Sequence, residues 1–256
     1  MINLLASLKE RNTYMFYFGM LCLLGAVLIF VKSRYSLVQV NGVNAWYKPL
    51  KFALSIGLFS WTMGWYTGYL TEYPQLHIYN WTIVICLGFE VLYITFQAAR
   101  GQLSHYNTSS PLHTSLTVIM AIAAITATLY TGYIGVLFYK GRFPELPDHY
   151  VWAIRLGILL FVIFAMEGAI MGDNGSPRIG GDNAGAIPFL NWSVKYGDLR
   201  IAHFIGMHAL QVLPLLAYFV LKDVRSVFFL GSIYSVLALL CLAQALSGKS
   251  AFLFGN

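Results

Sequence analysis

Seven stretches of this sequence stay apolar for the length of a membrane crossing, at about residues 13–31, 47–70, 78–98, 112–138, 150–171, 200–221 and 226–246. A helix needs about 20 mostly apolar residues to cross the hydrocarbon of a bilayer. Together the seven use more than half of the 256 residues, so no length remains for a separate soluble domain. A membrane β-barrel would need strands of about ten residues that alternate in polarity. "SVFFLGSIYSVLALLCLAQAL" (226–246) is apolar on every side and does not alternate. The expected fold class is all-α: a polytopic membrane protein, one domain over residues 1–256, built as a single bundle of seven transmembrane helices. Composition agrees, with 10% charged residues against about 25% in a soluble domain.

The lipid bilayer is the expected partner. An isoelectric point near 9.2 suggests nucleic acid in a soluble chain, but here basic residues flanking spans account for it and no nucleic acid is expected. The N-terminal "MINLLASLKERNTY" lacks the charge order and cleavage site of a signal peptide, so the first span reads as retained. Cys22, Cys86 and Cys241 are isolated within spans, so neither a disulfide framework nor a thiolate zinc site is indicated and they read as packing residues.

Alternating spans put the N-terminus and the loops after spans 2, 4 and 6 on one side. That side holds Lys9, Arg11, Lys140, Arg142, Arg155, Lys222 and Arg225. The other holds Lys32, Arg34, Lys48, Lys51, Arg100, Arg178, Lys195, Arg200 and Lys249. Lys48, Lys51, Arg100 and Arg200 sit among other polar residues, as site residues would. Setting them aside leaves seven basic residues against five, which orients the N-terminus to the cytoplasm.

The unusual polar residues gather at the second side. Lys48 and Lys51 open span 2 on one helix face. Glu90, Tyr93, Gln97 and Arg100 form a stripe down span 3, with His105 and Asn107 just beyond. His113 opens span 4, Glu167 closes span 5, and Gln244 closes span 7. Span 6 begins with "GDLRIAHFIGMHALQ", carrying Asp198, Arg200, His203, His208 and Gln211. An ionised side chain at the bilayer centre costs about 2.5–3.5 kcal/mol on insertion scales. Glu90, Glu167 and His208 therefore need partners, and a polar cavity open on the second side would provide them. Taken singly, each has an ordinary reading: Asp198 as a helix N-cap, Arg200, Lys48 and Lys195 as interfacial anchors, Glu90 as an inter-helix hydrogen bond, His77 and His149 as surface residues.

Three chemistries fit such a cavity. In the first, His105, His113, His203 and His208 supply ligands for haem b or a transition-metal ion. Histidines from two helices would face the iron, and Lys48, Lys51, Arg100 and Arg200 would pair with propionates. Glu90, Glu167 and Gln97 would then handle protons or orient ligands, and a small quinone-like substrate would suit a redox role. His203 and His208 are five apart, about 140° round a helix, so they do not readily bind one ion together. The second is a non-haem metal hydrolase or oxygenase combining two or three histidines with Glu90, Glu167 or Asp198. The His-x-x-x-His boxes of membrane di-iron enzymes are absent. The third is a transporter or receptor-like bundle holding an anion through the four basic residues, with Pro214 breaking span 6 near the site.

The long connector 172–199 is rich in Gly and Asn and reads as either a lid or a mobile link. Its "DNGSPRIGGDNA" resembles a calcium loop, but Ala184 stands where a bidentate Glu is required. The segments "KPLKFALS", "QAARGQLSHYN", "WAIRLG" and "GDLRIAHFIGMHALQ" resemble a family of bacterial multi-spanning membrane proteins with no known activity. The resemblance implies a bacterial inner-membrane location and no particular reaction.

Overall fold

A chain this apolar has to satisfy its backbone N–H and C=O groups internally, and a helix does so within one segment. The computed structural model, which describes residues 2–181 and 185–252, accordingly builds its regular structure from helices, with only short two-residue strands beside them. Helix α1 (Ile2–Arg11) precedes α2 (Thr13–Tyr35); the hairpin strands β1 (Gln39–Val40) and β2 (Val43–Asn44) lead into α3 (Tyr47–Thr67) and α4 (Leu76–Ala99). Then come α5 (Pro111–Lys140), α6 (Asp148–Met166) and the short α7 (Gly168–Asp173). Strands β3 (Arg178–Ile179) and β4 (Gly197–Asp198) bracket the long connector before α8 (Leu199–Phe219) and α9 (Val224–Leu246). The chain divides into two compact units, Met1–Tyr130 and Thr131–Asn256, with the boundary inside α5.

Among the described residues six helical segments, against the expected seven, are both long and apolar enough to cross a membrane: Thr13–Tyr35, Leu76–Ala99, Pro111–Lys140, Asp148–Asp173, Leu199–Phe219 and Val224–Leu246. The expected second crossing, α3, has 21 residues and is long enough. Lys48 and Lys51 at its start, and Ser60, Trp61, Thr62, Trp65, Tyr66 and Thr67 towards its end, dilute its apolar character. The outer faces of the six are those of a multi-pass membrane protein. Leu28 on α2 is 71% exposed, Phe229 and Leu240 on α9 are 71% and 62% exposed, and such faces suit hydrocarbon and are penalised in water.

In the first unit α2 and α3 run antiparallel and close together. Gly19 faces Trp61 and Gly57 across the contact, and Gly64 faces Met15; small residues let membrane helices approach in this way. One end of the pair is locked by a buried polar cluster. Asn12 Oδ1 caps α2 by accepting from Met15 N at 3.1 Å, while Asn12 Nδ2 donates to Thr67 Oγ1 at 2.9 Å and Asn80 Oδ1 at 3.0 Å. Three helix ends, from α2, α3 and α4, are thereby joined. At the other end the Asn41–Gly42 turn, both residues at positive φ, joins β1 to β2 with the twist a tight hairpin needs.

In the second unit α6 packs antiparallel to α8. A Cβ on Gly206 would overlap the Phe164 ring, and one on Gly157 would stand 2.9 Å from Ala209 O. Helix α8 runs unbroken through Pro214, contrary to the expected break; Leu213, Pro214 and Ala217 are all buried there, and packing neighbours commonly hold a proline within a membrane helix. The irregularity falls at Glu167 instead, where Ile170 N bonds Glu167 O in a tighter turn between α6 and α7. The described parts of the connector are tied down. Strands β3 and β4 pair antiparallel, and isolated bridges join Ala186 to Ser193 and Tyr196 to Lys249. Of the calcium-like segment, residues 182–184 lie outside the described residues.

Gly206→Ala should lower stability in detergent by about 1–3 kcal/mol, since the added methyl overpacks the α6–α8 contact. Gly25→Ala, with open space around it, should cost nothing. Thermal unfolding of both variants checks the pair.

Candidate functional site

The expected site residues fall into two groups, one in each unit. In the first, α4 ends in a cap that its sequence dictates: Gly101 takes a positive φ of 65°, and Gln102 N and Gly101 N bond back to Gln97 O and Ala98 O. Such a left-handed C-terminal cap favours glycine. The chain then turns back over the start of α3, where the His105 ring meets Phe52 edge-on at 5.8 Å. Gln97 Nε2 and Asn107 Nδ2 both donate to Leu103 O, at 3.0 and 2.9 Å. Gln97 is thus spent on folding this turn. Arg100 lies 5.4 Å over the Phe96 ring. His113 is held by Ser110, whose Oγ is 2.7 Å from His113 Nδ1 and accepts from His113 N at 3.3 Å, the arrangement of a helix start.

Glu90 is the exception in this group. It is buried, and its Oε1 has no hydrogen-bond partner among the described residues. The Lys48 charge acts on both Glu90 and His105. Burial holds the His105 pKa well below the usual histidine value, and the nearby Lys48 charge lowers it further.

In the second unit the start of α8 is built around Asp198. This residue is 1% exposed and caps the helix as its sequence position suggested. Its Oδ2 accepts from Ser193 N at 2.8 Å; its Oδ1 accepts from Arg200 N at 3.2 Å and Arg200 Nε at 2.8 Å. Arg200 also donates to Asn191 O. Arg200 is therefore a clamp between connector and helix, with its charge met by Asp198.

The two histidines of α8 share a different feature. His203 Nδ1 lies 2.7 Å from Phe164 O on α6, and His208 Nδ1 lies 2.7 Å from Phe204 O one turn back. A carbonyl oxygen only accepts, so each neutral ring carries its hydrogen on Nδ1 and its free lone pair on Nε2. The His208 ring lies on Phe204 at 4.0 Å between centroids, and Phe204 meets Trp192 of the connector at 5.7 Å. His203 sits over the α6–α7 junction, its Cε1 3.9 Å from where a Cβ of Gly168 would be. Glu167 belongs to that junction. It is 4% exposed, and neither carboxylate oxygen has a hydrogen-bond partner among the described residues. Among the described residues, no three His, Cys, Asp or Glu side chains stand together as one metal centre.

Sequence reasoning passed over Asn12, Thr67, Asn80, Asn191 and Ser193. Asn12 carried a usable signal, a capping residue just before an apolar run, and Asn80 is a polar residue inside a predicted span. Asn191 and Ser193 act through main-chain geometry, which local pattern does not show.

Two outcomes follow. His105 should remain neutral at pH 6, and stability should fall as the pH drops below about 6.5, where the unfolded chain takes up a proton that the folded one excludes. Imidazole NMR and pH-dependent melting check this: His105→Gln should flatten the profile, and a ring titrating near 6.5 would contradict it. Asp198→Ala should release the connector and speed amide exchange at Ser193 and Arg200, because buried donors lose their acceptor.

No family model, curated protein or solved structure matches the chain.

Proposed function

We propose that this is a haem-binding membrane protein whose α8 histidines supply the axial imidazole. The observation that carries the reading is the pair of Nδ1 contacts to Phe164 O and Phe204 O. Histidines that ligate a metal usually donate their other ring hydrogen to a carbonyl or carboxylate, which fixes the ring and raises its basicity. Haem needs only one or two such imidazoles. A non-haem hydrolase or oxygenase centre takes about three protein ligands, so the lack of a three-residue cluster among the described residues favours haem over that alternative. The anion-carrier alternative is weakened by Arg200, whose charge Asp198 already meets.

Glu167, buried beside the His203 contact, is the proton-handling group of this reading, with a quinone-like molecule as the class of redox partner. Helix α3 is a seventh crossing, since its 21 residues span the hydrocarbon and its antiparallel packing on α2 carries it from one end of that helix to the other. The distribution of basic residues supports a cytoplasmic N-terminus, and the resemblance noted above supports a bacterial inner-membrane location.

The test is a visible spectrum of the purified protein with and without dithionite, for the wild type and for His203→Ala and His208→Ala. About one haem per chain, with a Soret band that shifts on reduction and is lost with one of the two histidines, is expected. Colourless, metal-free protein from cells supplied with haem and metals, or a band unchanged in both variants, would overturn the reading.

A further inference from the structure

Arg155 lies in the first half of α6, where "WAIRLG" places a guanidinium in an otherwise apolar stretch. Nothing in the histidine site uses it. Its Nε donates to Phe138 O at 3.0 Å, and Nη2 approaches Gly141 O only at 3.5 Å. The guanidinium carbon sits 4.8 Å from the Trp152 ring centroid and 5.4 Å from that of Tyr139. Trp152 in turn packs against Phe228 at 5.0 Å. Two aromatic rings and a carbonyl thus fix the guanidinium, yet most of its five N–H donors have no strong acceptor among the described residues.

Arg155 lines a recess of about 380 Å³ together with Arg142, Phe143, Asp148 and Trp152. Arg142 is exposed and bonds no protein group among the described residues. The recess lies where one apolar segment ends at Lys140 and the next begins at Asp148. Trp and Tyr at such a junction mark the level of lipid headgroups. Two arginines lining one recess suit the oxygens of a phosphate, which arginine binds in forked geometry. Asp148 limits the choice: its carboxylate repels a second negative charge and accepts a hydrogen bond from a hydroxyl.

We propose that this recess binds the phosphodiester of an anionic lipid with a hydroxylated headgroup, Arg155 and Arg142 holding the phosphate and Asp148 a headgroup hydroxyl. The site rests on the membrane location alone and is independent of haem.

The experiment is native mass spectrometry of the full chain in a mild uncharged detergent, titrated separately with phosphatidylglycerol, phosphatidylcholine, phosphatidic acid and inorganic phosphate. Phosphatidylglycerol should bind best, and Arg155→Gln should weaken it about tenfold or more, the scale of a charge-assisted hydrogen bond. Because Arg155 also braces Phe138 O, exposed Arg142→Gln is the second variant; it removes charge without touching the fold and should weaken binding several-fold. Asp148→Asn should shift preference towards phosphatidic acid. Equal binding of phosphatidylglycerol and phosphatidylcholine, or affinity unchanged in both arginine variants, would overturn the site. Inorganic phosphate binding as tightly as phosphatidylglycerol would assign the recess to a soluble anion and overturn its assignment to lipid.

Discussion

Hydrocarbon offers no hydrogen bonds, so every polar group this chain carries into its spans has to be met by the chain itself. The backbone meets that demand by being helical. Side chains meet it by bonding to one another or to main-chain carbonyls of neighbouring turns and helices. Asn12, Thr67 and Asn80 do so at one end of the first unit, and Ser60 and Thr62 bond the carbonyls four residues back on their own helix. Close helix approach at Gly206 and Gly157 is what brings α6 carbonyls within reach of α8 side chains. Helix packing and polar pairing are therefore the same event in the second unit.

Against that background the groups that remain unmet carry information. Most polar residues expected at the site have structural partners: Gln97 and Asn107 share Leu103 O, His113 serves a helix start, and Arg200 closes on Asp198. What is left over is narrower than a general polar cavity. Among the described residues it includes both carboxyl oxygens of Glu167, Oε1 of Glu90 and the hydroxyl of Tyr93, beside the Nε2 lone pairs that the Nδ1 contacts leave on His203 and His208. Lone pairs held on rings of fixed orientation are suited to a metal, and buried carboxyl groups to passing protons. The haem proposal takes its shape from that remainder.

The sequence made much of this legible. Expected spans at 13–31, 78–98 and 226–246 match α2, α4 and α9 to within a few residues, because uninterrupted apolar runs leave helix ends as the main uncertainty. The cap at Asp198 and the buried stripe of Glu90, Tyr93 and Gln97 on α4 were also readable, since both follow from local spacing. Helix α3 was harder, because its lysines and its Trp, Ser and Thr residues dilute the apolar run by which a crossing is recognised. Pro214 misled for a related reason: whether a proline breaks a helix depends on what packs beside it. The pairing of His203 with Phe164 O, 39 positions away, was not legible at all, because a contact between a side chain and a distant carbonyl leaves no residue-type signature.

The most direct test of the account is the protonation pattern of the α8 rings. Nitrogen-15 histidine NMR on the protein without added haem distinguishes a ring hydrogen on Nδ1 from one on Nε2. The structure predicts that His203 and His208 are both neutral with the hydrogen on Nδ1, leaving Nε2 open. Hydrogen on Nε2 in both rings would mean that the contacts to Phe164 O and Phe204 O do not form, and would remove the basis for histidine ligation at α8.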